Sequence, residues 1–450
     1  MLRQVKNDPM SVRAKHRRQF CAKPNGKTPE RPLMHQRRIP EWLRHAPAPS
    51  VRGFAVLAGA EAVARGILIS VFPLEMYNAL QDAALVSEVY FMVGLLSLGV
   101  GLMVPFIGRY VARRWIYVTG ALMFGTGALL AIIGSGAAMI GALALITSAT
   151  VTTFVCFNAY VLDYIIKADL GRCETSRMFY SALGWTIGPF LGVVLLGWWR
   201  PLPFVIAALA SGVMLGVFLY MRLGNGRLIT KSRRPPTNPL AFLPRFFAQR
   251  RLVAGWLFAV IRSSGWWIYI VYLPIFAVER GLGEQLGGMM LSFSNGMLFL
   301  TPFMLAWMQR RTIRHAVRTG FLLAGGLFFL GAALSGVPWV TVCALASASF
   351  FLILLDVSGG LPFLLAVKPS ERTEMSAIYA SYRDVSGILT PGISWLVLLV
   401  APMPGIFAAG GLALLGAWGL ARNLHPRLGR ARVTIEPPIG AQGHMAGLAQ

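Results

Sequence analysis

From Val51 onward the chain is a succession of apolar runs broken by short connectors, and this pattern limits what it can fold into more than any other feature. A helix rises 1.5 Å per residue, so about 20 apolar residues cross the ~30 Å hydrocarbon layer of a bilayer. Such runs fall at 53–75, 86–108, 116–134, 138–165, 178–199, 203–221, 252–276, 286–308, 319–336, 338–366, 376–400 and 404–421. An all-α membrane protein of twelve spanning helices is expected. Only 13% of the residues are charged and the mean hydropathy is +0.62. A soluble domain carries about 25% charged residues, so a soluble enzyme is excluded.

The net charge of +25 would suggest a nucleic-acid partner if it lay on one soluble face. It lies between the apolar runs instead. With the N-terminus inside, 37 of the 42 Lys and Arg fall in the tails and on one set of loops. The opposite loops hold Arg200 and Arg280 beside Glu75, Asp82, Glu88, Glu279 and Glu284. Basic residues stay cytoplasmic, so both termini are expected there, in a bacterial inner (plasma) membrane. The charge then reads as topology plus attraction to anionic lipid, with no nucleic-acid partner.

Residues 1–52 form a basic tail with 13 Lys and Arg, expected to be solvated and disordered, and Met34 is an alternative start. Arg17-Arg18 resembles a twin-arginine export signal but lacks the apolar segment that must follow. Residues 53–221 and 252–421 are read as two six-helix bundles, 222–251 as a basic cytoplasmic linker and 422–450 as a cytoplasmic tail.

The halves resemble each other. Pro105-Phe106 precedes Arg113-Arg114 at the spacing at which Pro302-Phe303 precedes Arg310-Arg311, an offset of 197. Pro189 and Pro391 match at 202, and Pro73 and Pro274, read as ending the first and seventh spans, at 201. Three matches near one offset indicate an internal repeat.

Two related six-span halves joined by a basic loop resemble the major facilitator superfamily, with bundles related by an axis along the membrane normal. The segment from Pro105 to Arg114 keeps the terminal basic pair of that family's loop motif, but has Arg109 where an aspartate is usual. Gly184, Gly188, Pro189 and Gly192 resemble the span-five motif of its proton-driven exporters, with Val193 in place of a last glycine. Physically, glycines at i, i+4 and i+8 let another backbone approach, and the proline permits a bend. Tight packing alone would also account for them.

An ionisable residue inside a span is a functional candidate by default. Glu61, Arg65, Asp163, Arg262, Asp356, Arg383 and Asp384 qualify. Five of them lie on spans one, four, seven and ten, which the resemblance places around the central cavity. At 1.5 Å per residue, Glu61, Arg65 and Arg262 lie roughly 12, 18 and 15 Å from the inner surface. Glu61 and Arg262 occupy equivalent positions in the two halves, so an ion pair across the pseudo-axis is expected, either breakable or static. Glu61 is the first proton-coupling candidate and Asp384 the second. Arg65, Arg262 and Arg383 are the substrate-cavity candidates. The resemblance implies that an acid near the inner end of span four meets the basic loop after span two. Asp163 with Arg109 or Arg113, and Asp356 with Arg310 or Arg311, are accordingly expected as an inner gate that closes the inner side in the outward-facing state, unless both acids only cap helix ends.

The four cysteines have no paired spacing, the six histidines lie in tails and inner loops, and there is no Walker-type phosphate loop. No metal, cofactor or enzymatic activity is expected. The expected activity is that of a monomeric secondary transporter of a small organic solute, running as proton-coupled efflux. Import of an anionic metabolite or siderophore-like compound is the alternative, and a non-transporting receptor or scaffold a more remote one.

Overall fold

The computed structural model describes residues 50–108, 110–165, 170–221, 243–367, 375 and 378–424, and among these the regular structure is helical throughout. The first half comprises α1 (Val51–Leu80), α2 (Ala83–Ile107), α3 (Arg113–Ala131), α4 (Gly136–Tyr164), α5 (Leu170–Trp198) and α6 (Leu202–Tyr220). A short helix at Leu243–Phe247 precedes the second half: α7 (Arg250–Glu279), α8 (Gln285–Gly296), α9 (Ile313–Ala333), α10 (Pro338–Ser358), α11 (Tyr382–Leu398) and α12 (Pro404–Leu420). After α8 the chain passes through a 3-10 turn at Met297–Leu300 into a helix at Thr301–Gln309. Helix α10 resumes beyond Gly359-Gly360 as Leu361–Ala366.

Ten helices among the described residues are long and apolar enough to cross a membrane. The other two expected spans, 116–134 and 376–400, form α3, which begins with Arg113-Arg114, and α11, 17 residues long.

Short connectors with well-matched caps turn one helix into the next. Gln81 takes a left-handed conformation (φ 55°) that stops α1, and its N–H bonds Tyr77 O at 2.7 Å. Asp82 then caps α2 by accepting from Ala84 N at 2.7 Å. Ser135 and Thr312 cap α4 and α9 in the same manner. Pro73 and Pro274 do not end their helices, as the sequence pattern suggested. They sit inside α1 and α7, which run on to Leu80 and Glu279. In a bilayer the neighbouring helices can re-satisfy a proline's freed carbonyl, so a proline bends a span without terminating it.

The packing repeats with a period of six helices. In the first bundle α1 packs on α5 and α6, α3 on α4 and α6, and α2 on α4. In the second, α7 packs on α11 and α12, α9 on α10 and α12, and α8 on α10. Across the bundles α2 meets α11, α5 meets α8 as its counterpart, and α1 meets α7 on the pseudo-axis. The fold is therefore two pseudo-symmetric helical bundles.

One end of the molecule carries Arg113, Arg114, Arg245, Arg250, Arg251, Arg310 and Arg311; the other carries Glu75, Asp82, Glu279 and Glu284. Toward the acidic end a single apolar core joins the bundles, with Val71, Phe72, Tyr90 and Val193 beside Tyr272, Leu273, Phe276 and Leu291. Toward the basic end the first bundle has its own cluster around Phe54, Phe157 and Tyr160, and the second a separate one around Phe246, Phe363 and Met375. The described polar contacts between the bundles gather toward the acidic end, and the basic-end clusters of the two bundles are separate.

Candidate functional site

The second bundle holds an ion pair at mid-depth. Arg262 of α7 meets Asp356 of α10, Nε to Oδ1 at 2.9 Å, with Arg262 only 8% exposed and Asp356 37% exposed. Trp266, one turn after Arg262, donates Nε1–H to the other carboxylate oxygen at 2.9 Å. The Arg262 guanidinium also lies over the Tyr382 ring of α11, 5.3 Å from its centroid. Arg383 lies 5.7 Å from the same centroid and donates to the Tyr382 hydroxyl at 3.2 Å. Two arginines therefore flank one tyrosine, and one carboxylate balances the more buried of them.

The first bundle carries the counterpart. Arg65 and Glu61, one turn apart on α1, pair at 3.2 Å, and the Arg65 guanidinium lies 5.2 Å from the Trp185 ring centroid of α5. In both bundles an arginine from the first helix is tied to a carboxylate and backed by an aromatic ring.

This arrangement corrects the pair expected across the pseudo-axis and the depth expected for Asp356. Glu61 and Arg262 do not pair across the pseudo-axis; each takes a partner inside its own bundle, where helix packing fixes the distance. Asp356 meets Arg262, not the loop residues Arg310 and Arg311, which are both exposed. The span expected at 338–366 already ends where the helix does, so the depth of Asp356 follows from counting back from that end. Because the helix resumes to Ala366, Asp356 lies ten residues from that end, roughly 15 Å deep and level with Arg262.

Of the remaining candidates, Arg113 lies over the Tyr160 ring at 5.4 Å. Arg109 and the Asp163 side chain lie outside the described residues. Asp384 is exposed in the first turn of α11, where an acid suits the helix dipole, and has no ion-pair partner among the described residues.

The α5 glycines pack against α1. A Cβ on Gly184 would stand 2.7 Å from the Ala62 carbonyl carbon, and one on Gly188 2.6 Å from that of Gly66. A Cβ on Gly192 would collide with Ile67 O. Pro189 has a consequence in the other bundle. Lacking an N–H, it leaves the Trp185 carbonyl without its helical donor. Asn295 of α8 supplies one, Nδ2 to Trp185 O at 2.6 Å, and Ser292 Oγ accepts from Phe190 N at 2.8 Å. The backbone groups around Pro189 are therefore satisfied by two polar side chains from the opposite bundle.

At the acidic end Glu75 is buried inside α1 and paired with Arg200 at 2.6 Å, although the sequence pattern places it in a loop. Tyr77 of α1 donates to Glu279 of α7 at 3.3 Å, and Tyr272 of α7 to Ser87 of α2 at 2.9 Å. The sequence reading missed Trp185, Trp266, Tyr382, Ser292 and Asn295. The available signal was an amide within an apolar run, a costly residue in lipid unless it has a partner.

The Major Facilitator Superfamily model matches residues 54–391. No curated protein matches the chain in sequence. Among solved structures, the nucleoside transporter NupG superposes with a TM-score of 0.64 at 14% identity, over 83% of this chain and 99% of that one. A POT family transporter in complex with a thioalcohol-conjugated peptide gives 0.67 at 12% identity, over 84% and 96%. At these identities the likenesses are likenesses of fold. With the family match covering most of the membrane region and the same bundle arrangement in the structure, the chain belongs to the Major Facilitator Superfamily.

Proposed function

We propose that this facilitator-family transporter is a proton-coupled exporter of a small organic solute bearing an anionic group, with the Arg262–Asp356 pair as its coupling site. The observation that carries this reading is a nearly buried arginine whose counterion is a half-exposed carboxylate. Removing the charge on Asp356 by protonation frees Arg262 for a bidentate bond to a carboxylate or phosphate on the solute. Proton and solute then compete through one guanidinium, which is the requirement for exchange. Glu61 and Arg65 repeat the chemistry in the other bundle, and Trp185, Trp266 and Tyr382 offer ring surface for an apolar portion.

The positive-inside rule puts the basic end and both termini in the cytoplasm, and bundles held together toward the acidic end then make this the inward-open state. Reporter insertions at Asp82 and Glu284 are expected to read outside, and those at Thr312 and after Leu424 inside. A cytoplasmic Glu284 would reverse the orientation.

The outward direction rests on the likeness of the α5 motif to that of exporters. Two or more cavity arginines favour import of an anion as the second reading. Energised everted vesicles distinguish them with a panel of labelled aromatic carboxylates and phosphates. Accumulation in everted vesicles that a protonophore abolishes is the expected result. Accumulation only in right-side-out vesicles would establish import, and indifference to the protonophore would remove proton coupling.

In the inward-open state the acidic end must hold shut, and Asn295 and Ser292 contribute to that closure. Each bond is worth about 0.5–1.5 kcal/mol net, so Asn295→Ala should shift the equilibrium toward outward-open about two- to tenfold. Labelling of a cysteine introduced near Val193 by an impermeant reagent from the acidic side is the measurement. An unchanged labelling rate would assign the bond to static packing.

A further inference from the structure

We propose that Arg314, Arg318 and Arg422, gathered around Trp418 at the basic end of the second bundle, bind the phosphate of an anionic phospholipid. Arg314 and Arg318 stand one turn apart at the start of α9, and Trp418 and Arg422 one turn apart where α12 passes into the 3-10 turn Ala421–Asn423. The two helices pack along each other, and Arg314 donates Nη2–H to the Arg422 carbonyl at 2.9 Å. The Arg422 guanidinium lies 4.6 Å and that of Arg318 5.7 Å from the Trp418 ring centroid.

Among the described residues, none of the three arginines has an ion-pair partner, and the Nε atoms of Arg314 and Arg318 are buried without a hydrogen-bond acceptor. Like charges one turn apart repel, and buried donors without acceptors are costly. An anion with several oxygens relieves both penalties at once. A phosphodiester suits guanidinium groups in particular, since its two free oxygens match their paired N–H donors.

The position selects the lipid source over free phosphate. The cluster stands at the end of the membrane helices, where headgroups lie and tryptophan is favoured, and basic pockets between membrane helices bind anionic headgroups. Leu322, one turn deeper than Arg318 on the same helix face, is 40% exposed and gives an acyl chain a surface directly below the guanidinium groups. The inference does not depend on the direction of transport or on the coupling residue.

The test uses the full-length protein in nanodiscs and native mass spectrometry, with phosphatidylglycerol, phosphatidylcholine and inorganic phosphate as separate probes. The wild type should retain phosphatidylglycerol over phosphatidylcholine and melt higher in the former. The triple variant Arg314→Gln/Arg318→Gln/Arg422→Gln should lose that retention about fivefold or more, while its melting in phosphatidylcholine stays level or rises as repulsion is relieved. Arg318→Lys, which keeps the charge but not the paired donors, should fall between, and it serves if the triple variant does not fold. Equal retention by the wild type and Arg318→Lys together with an unaffected triple variant would overturn the proposal. Stabilisation by millimolar inorganic phosphate equal to that by phosphatidylglycerol would overturn the lipid assignment in favour of a free-anion site.

Discussion

Asp356→Asn is expected to abolish uphill transport while leaving solute exchange across the membrane in place. The asparagine keeps the size of the side chain and an oxygen for the Trp266 N–H, but it cannot take up or release a proton. Arg262 then stays available to the solute in both orientations, so the carrier equilibrates solute without drawing on the gradient. A loss of about tenfold or more in gradient-driven accumulation, with counterflow retained, is the expected split. There is also a stability cost, because the nearly buried Arg262 loses its counterion; with the carboxylate site open to solvent it is about 1–3 kcal/mol, below that of a fully buried pair. Arg262→Ala/Asp356→Ala, which removes both charges, should therefore be more stable than Asp356→Ala alone while remaining inactive. Glu61→Gln in the same assay decides between the two carboxylates. Retained accumulation in Asp356→Asn together with its loss in Glu61→Gln would move the coupling site to the first bundle.

Gly188→Val should cost the folded protein more than any surface change. The added Cβ would meet the Gly66 backbone at 2.6 Å, and a backbone on a packed helix cannot turn aside as a side chain can. Helices α1 and α5 would have to separate along their whole contact, including the neighbouring close approaches at Gly184 and Gly192. Overpacking of this kind costs about 1–3 kcal/mol or more, enough to lower the melting temperature by several degrees and reduce the yield of monodisperse protein. Gly216→Val on α6, where nothing stands within 4 Å of the new Cβ, is the matched control and should be nearly neutral. A Gly188→Val protein that melts like the wild type would show that α1 and α5 can shift apart freely.

The packing also bears on the meaning of the α5 motif. Its glycines form the α1–α5 contact inside one bundle, and its proline exposes backbone groups that Ser292 and Asn295 of the other bundle satisfy. These are properties of helix packing and of the contact between the bundles. They operate identically in a carrier running in either direction, so vesicle orientation is the experiment that assigns direction.

The order and position of the helices were legible in the sequence because a bilayer demands long unbroken apolar runs, and a run can be read one residue at a time. The intramembrane charges were legible for the same reason, since each interrupts a run. The Glu61–Arg65 pair was also within reach, because a four-residue spacing puts both side chains on one face. The Arg262–Asp356 pair was not. Its members are 94 positions apart, and whether they meet depends on the rotation of α7 and α10 about their own axes. A shift of one residue turns a side chain by about 100°, and apolar runs surrounded by apolar lipid leave that rotation weakly marked. The same holds for Asn295 reaching the carbonyl that Pro189 frees, which required α8 to cross α5 at that turn. Local spacing and solvation determined what spans and where charge sits; only the docking of one helix on another decided which groups became partners.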